Sequence, residues 1–422
     1  MPNHIQQWLL ACVGFALAGL VSAQEAVPGA NLESLLTYAR ERNVEYAAMR
    51  YDAQAAMERI GPAGALPDPM LRIEWMDITR MGDRNPTLDP SRVGGTRYRL
   101  MQELPWFGKR ALRADVATFE AEAVRNAAQG SWTELRAAIR KSYVQHYYIA
   151  HNERVTRDIL ALLQRLEQLA QVRYGNGLSP QQDAVRAQLE QTALRSDLLM
   201  LENERRSVEA RLNALLNRPA DAPLAEPETL PSLPQQETIA FEALLDRARQ
   251  SNPQLAVEVS RIHAAEKSRE LTYRNRYPDV AFGVAPIQSG DSINEWEVMV
   301  EFSIPLQQGT RRSQEREAGA MLAAARARHD AVMYRLTGEI AEQLSAYETA
   351  ARTESLIASS LLPQSRLTMQ SALAGYETGK VDFATLLEAQ RAIDRARIDL
   401  LKAQAERQLR IAELERLLGV EL

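Results

Sequence analysis

Of the five histidines in this chain of 422 residues, only His146 and His151 lie near one another. Five positions apart on a helix, they point to different faces and do not form a metal-ligating pair; His263 and His329 stand alone. Each is expected to be solvated or packed. There is no Gly-rich phosphate loop, paired-cysteine metal site or histidine-containing catalytic set, so no catalytic, cofactor-binding or metal residue is named. Met70, Met76, Met81, Met101 and Met299 could act as soft-metal contacts, but strand and loop packing is the better expectation. The chemistry that remains is electrostatic. Asp183 with Arg186, and Thr385 with Glu388, stand just past two glycine-containing reversals. In a tubular oligomer, Asp183 and Glu388 could form rings of charge that constrict the mouth and select ions. Ordinary solvated helix charges are the alternative.

Positioning these residues falls to two long helices. Between Pro105 and Gly175 there is no proline, and Val155, Ile159, Leu162, Leu166, Leu169 and Val172 recur at three- and four-residue steps. That spacing predicts one helix over 109–174, roughly 100 Å long at 1.5 Å per residue. A turn at Tyr174–Pro180 leads to a return helix over 181–217, with a stripe of Val185, Leu189, Leu199, Val208, Leu212 and Leu215. The design then recurs as a long helix over 311–376, a turn at Tyr376–Asp382 and a return helix over 383–418. Tyr174, Gly177, Ala187 and Gln188 fall on Tyr376, Gly379, Ala389 and Gln390 at a constant offset of 202. Leu35, Leu36 and Asn43 fall on Leu244, Leu245 and Asn252 at an offset of 209. Two copies of one elongated unit are therefore expected, over 24–217 and 239–422. A connector over 218–238, with prolines at 219, 223, 227, 231 and 234, joins them without a core of its own. The first copy opens with a helix over Asn31–Ile60. Pro363 should kink or interrupt the second long helix, and the first has no counterpart.

Four segments alternate instead. Over 70–78, Leu71, Ile73 and Trp75 oppose Arg72, Glu74 and Met76; over 97–104, Tyr98, Leu100 and Leu104 oppose Arg97, Arg99, Met101 and Glu103. The segment 279–287 carries Val280, Phe282 and Val284 on one face. In 295–304, Trp296, Val298, Val300, Phe302 and Ile304 oppose Glu295, Glu297, Met299, Glu301 and Ser303. Strands of about nine or ten residues with one apolar and one charged face match transmembrane β-barrel strands around a wet interior. Charges cannot face lipid, so Arg72, Glu74, Arg97, Arg99, Glu297 and Glu301 are assigned to a lumen. Trp75, Trp296, Val298, Val300 and Phe302 are assigned to the lipid face. Trp75, Tyr98, Trp106, Tyr277 and Trp296 sit near strand ends, where an aromatic girdle belongs. The loop 79–95 should be exposed and 288–294 a short polar turn. Four strands cannot close a barrel, for which about eight are needed, so oligomerisation is required. A small amphipathic sheet covering a soluble core is the alternative.

Charged residues make up 25% of the chain and aromatic residues 6%, which suits long solvated helices. The net charge of −5, with no separate basic block, argues against nucleic acid as a partner. An apolar run from Trp8 ends in Val21-Ser22-Ala23, a small-x-small site that predicts a signal peptide over 1–23. Met1–Gln7 holds no Lys or Arg, so a retained anchor or a misassigned start codon are alternatives. Cys12, the only cysteine, would leave with that segment, as fits an exported chain without disulfides. No other segment has the 18 or more uninterrupted apolar residues of a membrane helix.

Over essentially the whole mature length, the chain resembles the TolC family of outer-membrane efflux proteins. The match rests on the duplicated helix–strand–strand–long-helix–return-helix unit and on Glu103-Leu104-Pro105-Trp106-Phe107-Gly108-Lys109-Arg110 entering the first rod. It rests also on the paired Tyr-x-x-Gly turns followed by Ala-Gln. The resemblance implies a mainly α fold with a β-barrel portion. In a homotrimer, four strands per subunit would make one twelve-stranded barrel in the outer membrane of a Gram-negative bacterium. The helices would make an α-barrel tunnel across the periplasm. It further implies a passive exit duct rather than an enzyme, without cofactors. The duct would dock on a periplasmic adaptor (membrane fusion protein) joined to an inner-membrane resistance–nodulation-type pump. Adaptor contacts carry over to Tyr174, Gly175, Gly177, Leu178 and Ser179, and to Tyr376, Gly379, Lys380 and Val381. Glu388 falls on the second of two acidic aperture positions, and Thr385, a departure, on the first. Pro67-Asp68-Pro69 and Trp106–Arg110 look most like the heavy-metal-efflux branch of cobalt–zinc–cadmium and copper–silver exporters. A duct for drugs or for type I protein secretion is the alternative within the family, and a soluble periplasmic coiled-coil scaffold the alternative outside it.

Overall fold

A computed structural model of the chain describes residues 27–79, 81–82, 85–234 and 239–422. The expected signal peptide and Cys12 lie outside the described residues, as does the end of the connector. In chain order the first half comprises α1 (Leu32–Arg42), α2 (Val44–Glu58), α3 (Ile60–Gly64), β1 (Met70–Met76), β2 (Gly95–Leu104), α4 (Lys109–Gly175) and α5 (Gln182–Leu215). The second half comprises α6 (Phe241–Ser251), α7 (Pro253–Arg274), β3 (Val280–Ser289), β4 (Ser292–Phe302), α8 (Gln308–Leu356), α9 (Leu362–Glu377) and α10 (Phe383–Leu418). The described residues divide into two compact units. One lies within Met1–Glu41, Ser142–Ser232 and Leu361–Ala405, the other within Arg42–Lys141, Leu233–Ser360 and Glu406–Leu422. Each takes segments from both halves of the sequence.

The helix expected over Asn31–Ile60 is three helices. Asn43 is extended (ψ 119°), and its side chain accepts the Tyr46 N–H at 2.8 Å, capping α2. Asn252 does the same for α7, with ψ 120° and the Leu255 N–H at 2.9 Å, followed by Pro253 in the first turn. The asparagines at the offset of 209 thus mark helix starts, which a continuous helix would have left without a role.

The sheet-bearing unit holds four antiparallel strands in the order β1-β2-β3-β4. β1 stops at Met76 because Asp77 adopts φ +52° and its carboxylate accepts the Met81 N–H at 2.7 Å. In place of a polar turn over 288–294, β3 and β4 run to Ser289 and from Ser292, and Gly290 (φ +67°) makes the reversal. A register shift between Ile287 and Gln288 absorbs the extra length. β4 ends at Phe302, leaving Ser303 and Ile304 beyond it. The helical core of this unit gathers Leu244, Ala248 and Leu255 with Leu336, Ile340, Tyr347, Ile411, Leu414 and Leu418.

The second long helix is not continuous. A π-turn at Ile357–Leu361 separates α8 from α9, and Pro363 stands in the first turn of α9. The widened turn absorbs the donor that proline lacks. The other unit is a helical body whose core draws on four helices: Ile159, Leu163 and Leu166 of α4, Ala187 of α5, Met369 and Tyr376 of α9, and Phe383, Leu386 and Ile393 of α10. Its connector segment is pinned down. Asn213 donates to the Ala220 and Ala222 carbonyls at 3.2 and 2.8 Å, and the Tyr143 hydroxyl donates to Thr229 O at 2.8 Å.

Candidate functional site

The two helix tips are built alike. In the first, the Gly177 N–H donates to Tyr174 O at 2.9 Å and the Leu178 N–H to Arg173 O at 2.8 Å. In the second, Gly379 donates to Tyr376 O at 3.1 Å and Lys380 to Gly375 O at 2.8 Å. This is a Schellman motif, which needs a left-handed residue three positions after the tyrosine; Gly177 and Gly379 have φ +71° and +72°. The Tyr-x-x-Gly spacing is therefore the spacing of a helix stop. Return helices differ in their starts: Asp382 accepts the Thr385 N–H at 2.9 Å, whereas Gln181 makes no side-chain cap.

The side chains at the tips are not equivalent. Tyr174, Leu178, Gly379 and Lys380 are exposed, as are Gly175 and Gly177, while Ser179 and Val381 are partly covered. Tyr376, expected on the docking surface, is buried at 2% exposure. Its ring lies 5.3 Å from that of Phe383, and the Arg173 guanidinium covers it at 4.9 Å while donating to Glu377 O at 2.9 Å. Gly375 makes this closure possible: a Cβ there would stand 2.5 Å from a Val381 methyl. No tyrosine side chain is offered at the second tip.

Asp183, expected to line the aperture, is also buried, at 7% exposure. Burial pushes its carboxyl up from the usual carboxylate range, Arg186 opposes this, and Asp382 and Tyr376 are further neighbours. Thr385 and Glu388 by contrast are exposed on one face of α10. Beside them Arg391 pairs with Glu190 of α5. One turn on, Asp394 is half-buried; burial pushes its carboxyl up to about 6, against the Gln390 amide that donates to it at 2.7 Å. The stripe expected to pack α5 holds at its C-terminal end, where Val208 and Leu212 are buried, and is displaced nearer the tip. There Val185, Leu189 and Leu199 are 54%, 68% and 69% exposed, while Ala184, Ala187 and Leu201 are buried instead.

The sheet is two-faced, because strand side chains alternate and the register pairs like with like. On one face Glu74 stands opposite Arg97 and Ala285 opposite Glu297. Arg97 bridges Glu74 at 3.2 Å and Glu297 at 3.1 Å, and Arg99 reaches Glu74 at 3.4 Å. Arg72 and Glu301 share this face. On the other face Leu71, Ile73, Trp75, Trp296, Val298, Val300 and Phe302 are all exposed, Val298 at 79%. Trp106 and Tyr277 stack, 5.5 Å apart and 7° from parallel, at the helix end of the sheet; Trp75 and Trp296 stand toward the other end.

The histidines are dispersed. His146 is buried 3.4 Å from Glu209, and burial lowers its pKa, while His151 stacks on Tyr147 at 3.8 Å. Among the described residues no group of three or more His, Cys, Asp or Glu is arranged to hold a metal ion. Among them, too, no helix is long and apolar enough to cross a membrane.

Comparison with known proteins places this geometry. The cobalt-zinc-cadmium resistance protein CzcC of Cupriavidus metallidurans is 25% identical over 421 residues, covering 94% of this chain and 92% of that protein. The solved outer-membrane channel OprN has a TM-score of 0.78 at 20% identity, covering 92% of this chain and 89% of its own. The outer membrane protein VceC of Vibrio cholerae has a TM-score of 0.76 at 16% identity, covering 92% and 96%. The model of the family described as "Outer membrane efflux protein" matches residues 35–218 and 244–420. The chain therefore belongs to the outer membrane efflux proteins, and it is an efflux channel component of the outer membrane rather than an enzyme.

Proposed function

We propose that three copies of this chain close one twelve-stranded barrel and form a passive exit duct for heavy-metal cations. A periplasmic adaptor and an inner-membrane resistance–nodulation-type pump deliver the cations. The observation that carries this reading is the sheet: four strands with unpaired outer edges, an ion-paired face and an exposed apolar face. Open edges and a naked apolar face are both satisfied when neighbouring strands extend the sheet into a closed wall in lipid. In that wall Arg72, Glu74, Arg97, Arg99, Glu297 and Glu301 face the lumen, and Trp75, Trp296, Val298, Val300 and Phe302 face lipid. The exposed Val185, Leu189 and Leu199 of α5 support the same reading, since a neighbouring subunit would cover them. Glu388 and Thr385 line the aperture, and Tyr174, Leu178, Gly379 and Lys380 meet the adaptor. Metal as the substrate class is supported by the likeness to CzcC along 94% of the chain.

The test is fractionation of cells expressing the protein, with trypsin added to intact cells. The expected result is a heat-resistant trimer in the outer membrane, cut within residues 79–95. A monomer in the soluble periplasmic fraction would refute the duct and favour a helical scaffold.

A further inference from the structure

Strand register brings together residues far apart in sequence. Met70 pairs with Met101 across β1 and β2, Met101 with Gly283 across β2 and β3, and Gly283 with Met299 across β3 and β4. All four positions share the face that carries the ion pairs. Gly283 is the gap in this row: a Cβ there would lie 3.0 Å from Met101 Cγ and 3.7 Å from Met299 Cβ. Met101 therefore lays its side chain over Gly283, with the Met299 Cβ on the far side of the same position, the two methionines being two strands and about 10 Å apart at their backbones. Met101 is 9% exposed and Met70, on the edge strand, 59%.

The surroundings are graded by charge. Two residues toward the helix end, Glu103 and Glu301 flank Ala281, a second small residue between long ones. Two to four residues toward the loop end come Arg97 and Arg99, neutralised by Glu74 and Glu297. A cation moving from the helix end would meet carboxylates first, then sulfur, then a band of paired charge.

We infer that Met70, Met101 and Met299 form a thioether site for a soft monovalent metal ion, Cu(I) or Ag(I), carried as cargo. Packing alone asks for apolar volume, which leucine would supply; methionine adds a polarizable sulfur and an unbranched stem able to converge on one point. Neutral thioethers suit Cu(I) and its heavier analogue, whereas harder divalent ions prefer imidazole or carboxylate. A site of neutral donors open on one side holds its ion weakly, as a duct requires: favourable enough to enter, weak enough to leave. This inference rests on the reading that the ion-paired face lines the lumen, and it narrows the cargo within it.

The test uses the full mature protein in detergent with 13C-labelled methionine methyls, titrated with Ag(I) and separately with Zn(II). Residues 24–422 contain no cysteine, so no thiol competes. Met200 and Met321, 56% and 60% exposed on helices, serve as internal controls. The methyl signals of Met70, Met101 and Met299 are expected to shift with Ag(I) at least tenfold earlier than the controls, and not with Zn(II). Met101→Leu with Met299→Leu, which keeps apolar volume, should weaken Ag(I) binding at least tenfold. The edge substitution Met70→Leu should weaken it several-fold. Strand methyls that shift together with the controls, or an Ag(I) affinity unchanged in both variants, would overturn the site. Conductance in planar bilayers is measured on the same preparation: a conducting protein without the early shifts refutes the site alone, and a non-conducting one refutes the duct beneath it.

Discussion

Substituting Val298 by arginine separates a membrane wall from a sheet in water. Val298 sits mid-strand in β4 opposite Val284, and 79% of it is uncovered in the single chain. If that surface meets water, an arginine there touches nothing and changes stability by no more than about 0.5 kcal/mol. If it meets hydrocarbon near the bilayer midplane, the guanidinium costs about 2–4 kcal/mol. At 1.4 kcal/mol per tenfold, the folding equilibrium constant in lipid falls roughly 30- to 700-fold. Glu297→Gln, one residue away on the opposite face, controls for damage to the strand. It loses a half-exposed ion pair to Arg97 at 3.1 Å, worth at most about 1 kcal/mol. Both variants are assayed by urea titration of folding into phospholipid vesicles, followed by heat-resistant mobility on gels. A Val298→Arg protein as stable as the parent, or Glu297→Gln as the more damaging change, would refute the assignment of the two faces.

Glu388→Ala removes an exposed carboxylate from α10 and is expected to raise single-channel conductance and lower cation preference; unchanged values would exclude Glu388 from the aperture. Asp394, with its carboxyl pushed up to about 6 from 3.8, keeps its proton longer in the folded chain than in the unfolded one. Its contribution is therefore full below about pH 4 and lost as pH rises through 6, a fall of up to roughly 3 kcal/mol at 1.36 kcal/mol per unit. Asp394→Asn should be the more stable form at pH 8, with the difference closing near pH 4 in paired denaturant titrations. A difference that does not vary with pH would contradict the burial argument. Asn252→Ala takes away the α7 cap and the 2.7 Å bond donated to the buried Leu417 carbonyl. The expected loss is about 2–3 kcal/mol, read from the thermal midpoint; a shift within error would mean that water replaces both bonds.

The elements that sequence exposes most clearly are those set by local rules. Tyr-x-x-Gly marks the tips because a Schellman stop fixes glycine three residues after the tyrosine, and alternation marks both sheet faces because strand periodicity is two. Asn43 and Asn252 stand out in the sequence as a repeated pair, yet an apolar stripe continues across Asn43 and masks the break between α1 and α2. Burial of Tyr376 was hidden by its symmetry with the exposed Tyr174. The difference comes from Gly375, whose counterpart in the first tip is Arg173, and from that same arginine folding over the tyrosine ring. Asp183 went inward with it. The Val185–Leu189–Leu199 stripe misled because periodicity reports an apolar face, not whether that face is covered by the same chain. Met70, Met101 and Met299 stand out in the sequence as possible soft-metal contacts, but their alignment in one row exists only once three strand registers are known.

The central claim is that the alternating strands wall off water from lipid. Single-channel recording of the purified protein in planar bilayers tests it most directly. The account predicts discrete, long-lived, ohmic conductance steps that prefer cations. Bilayers that stay silent at protein concentrations giving stable trimers would contradict it.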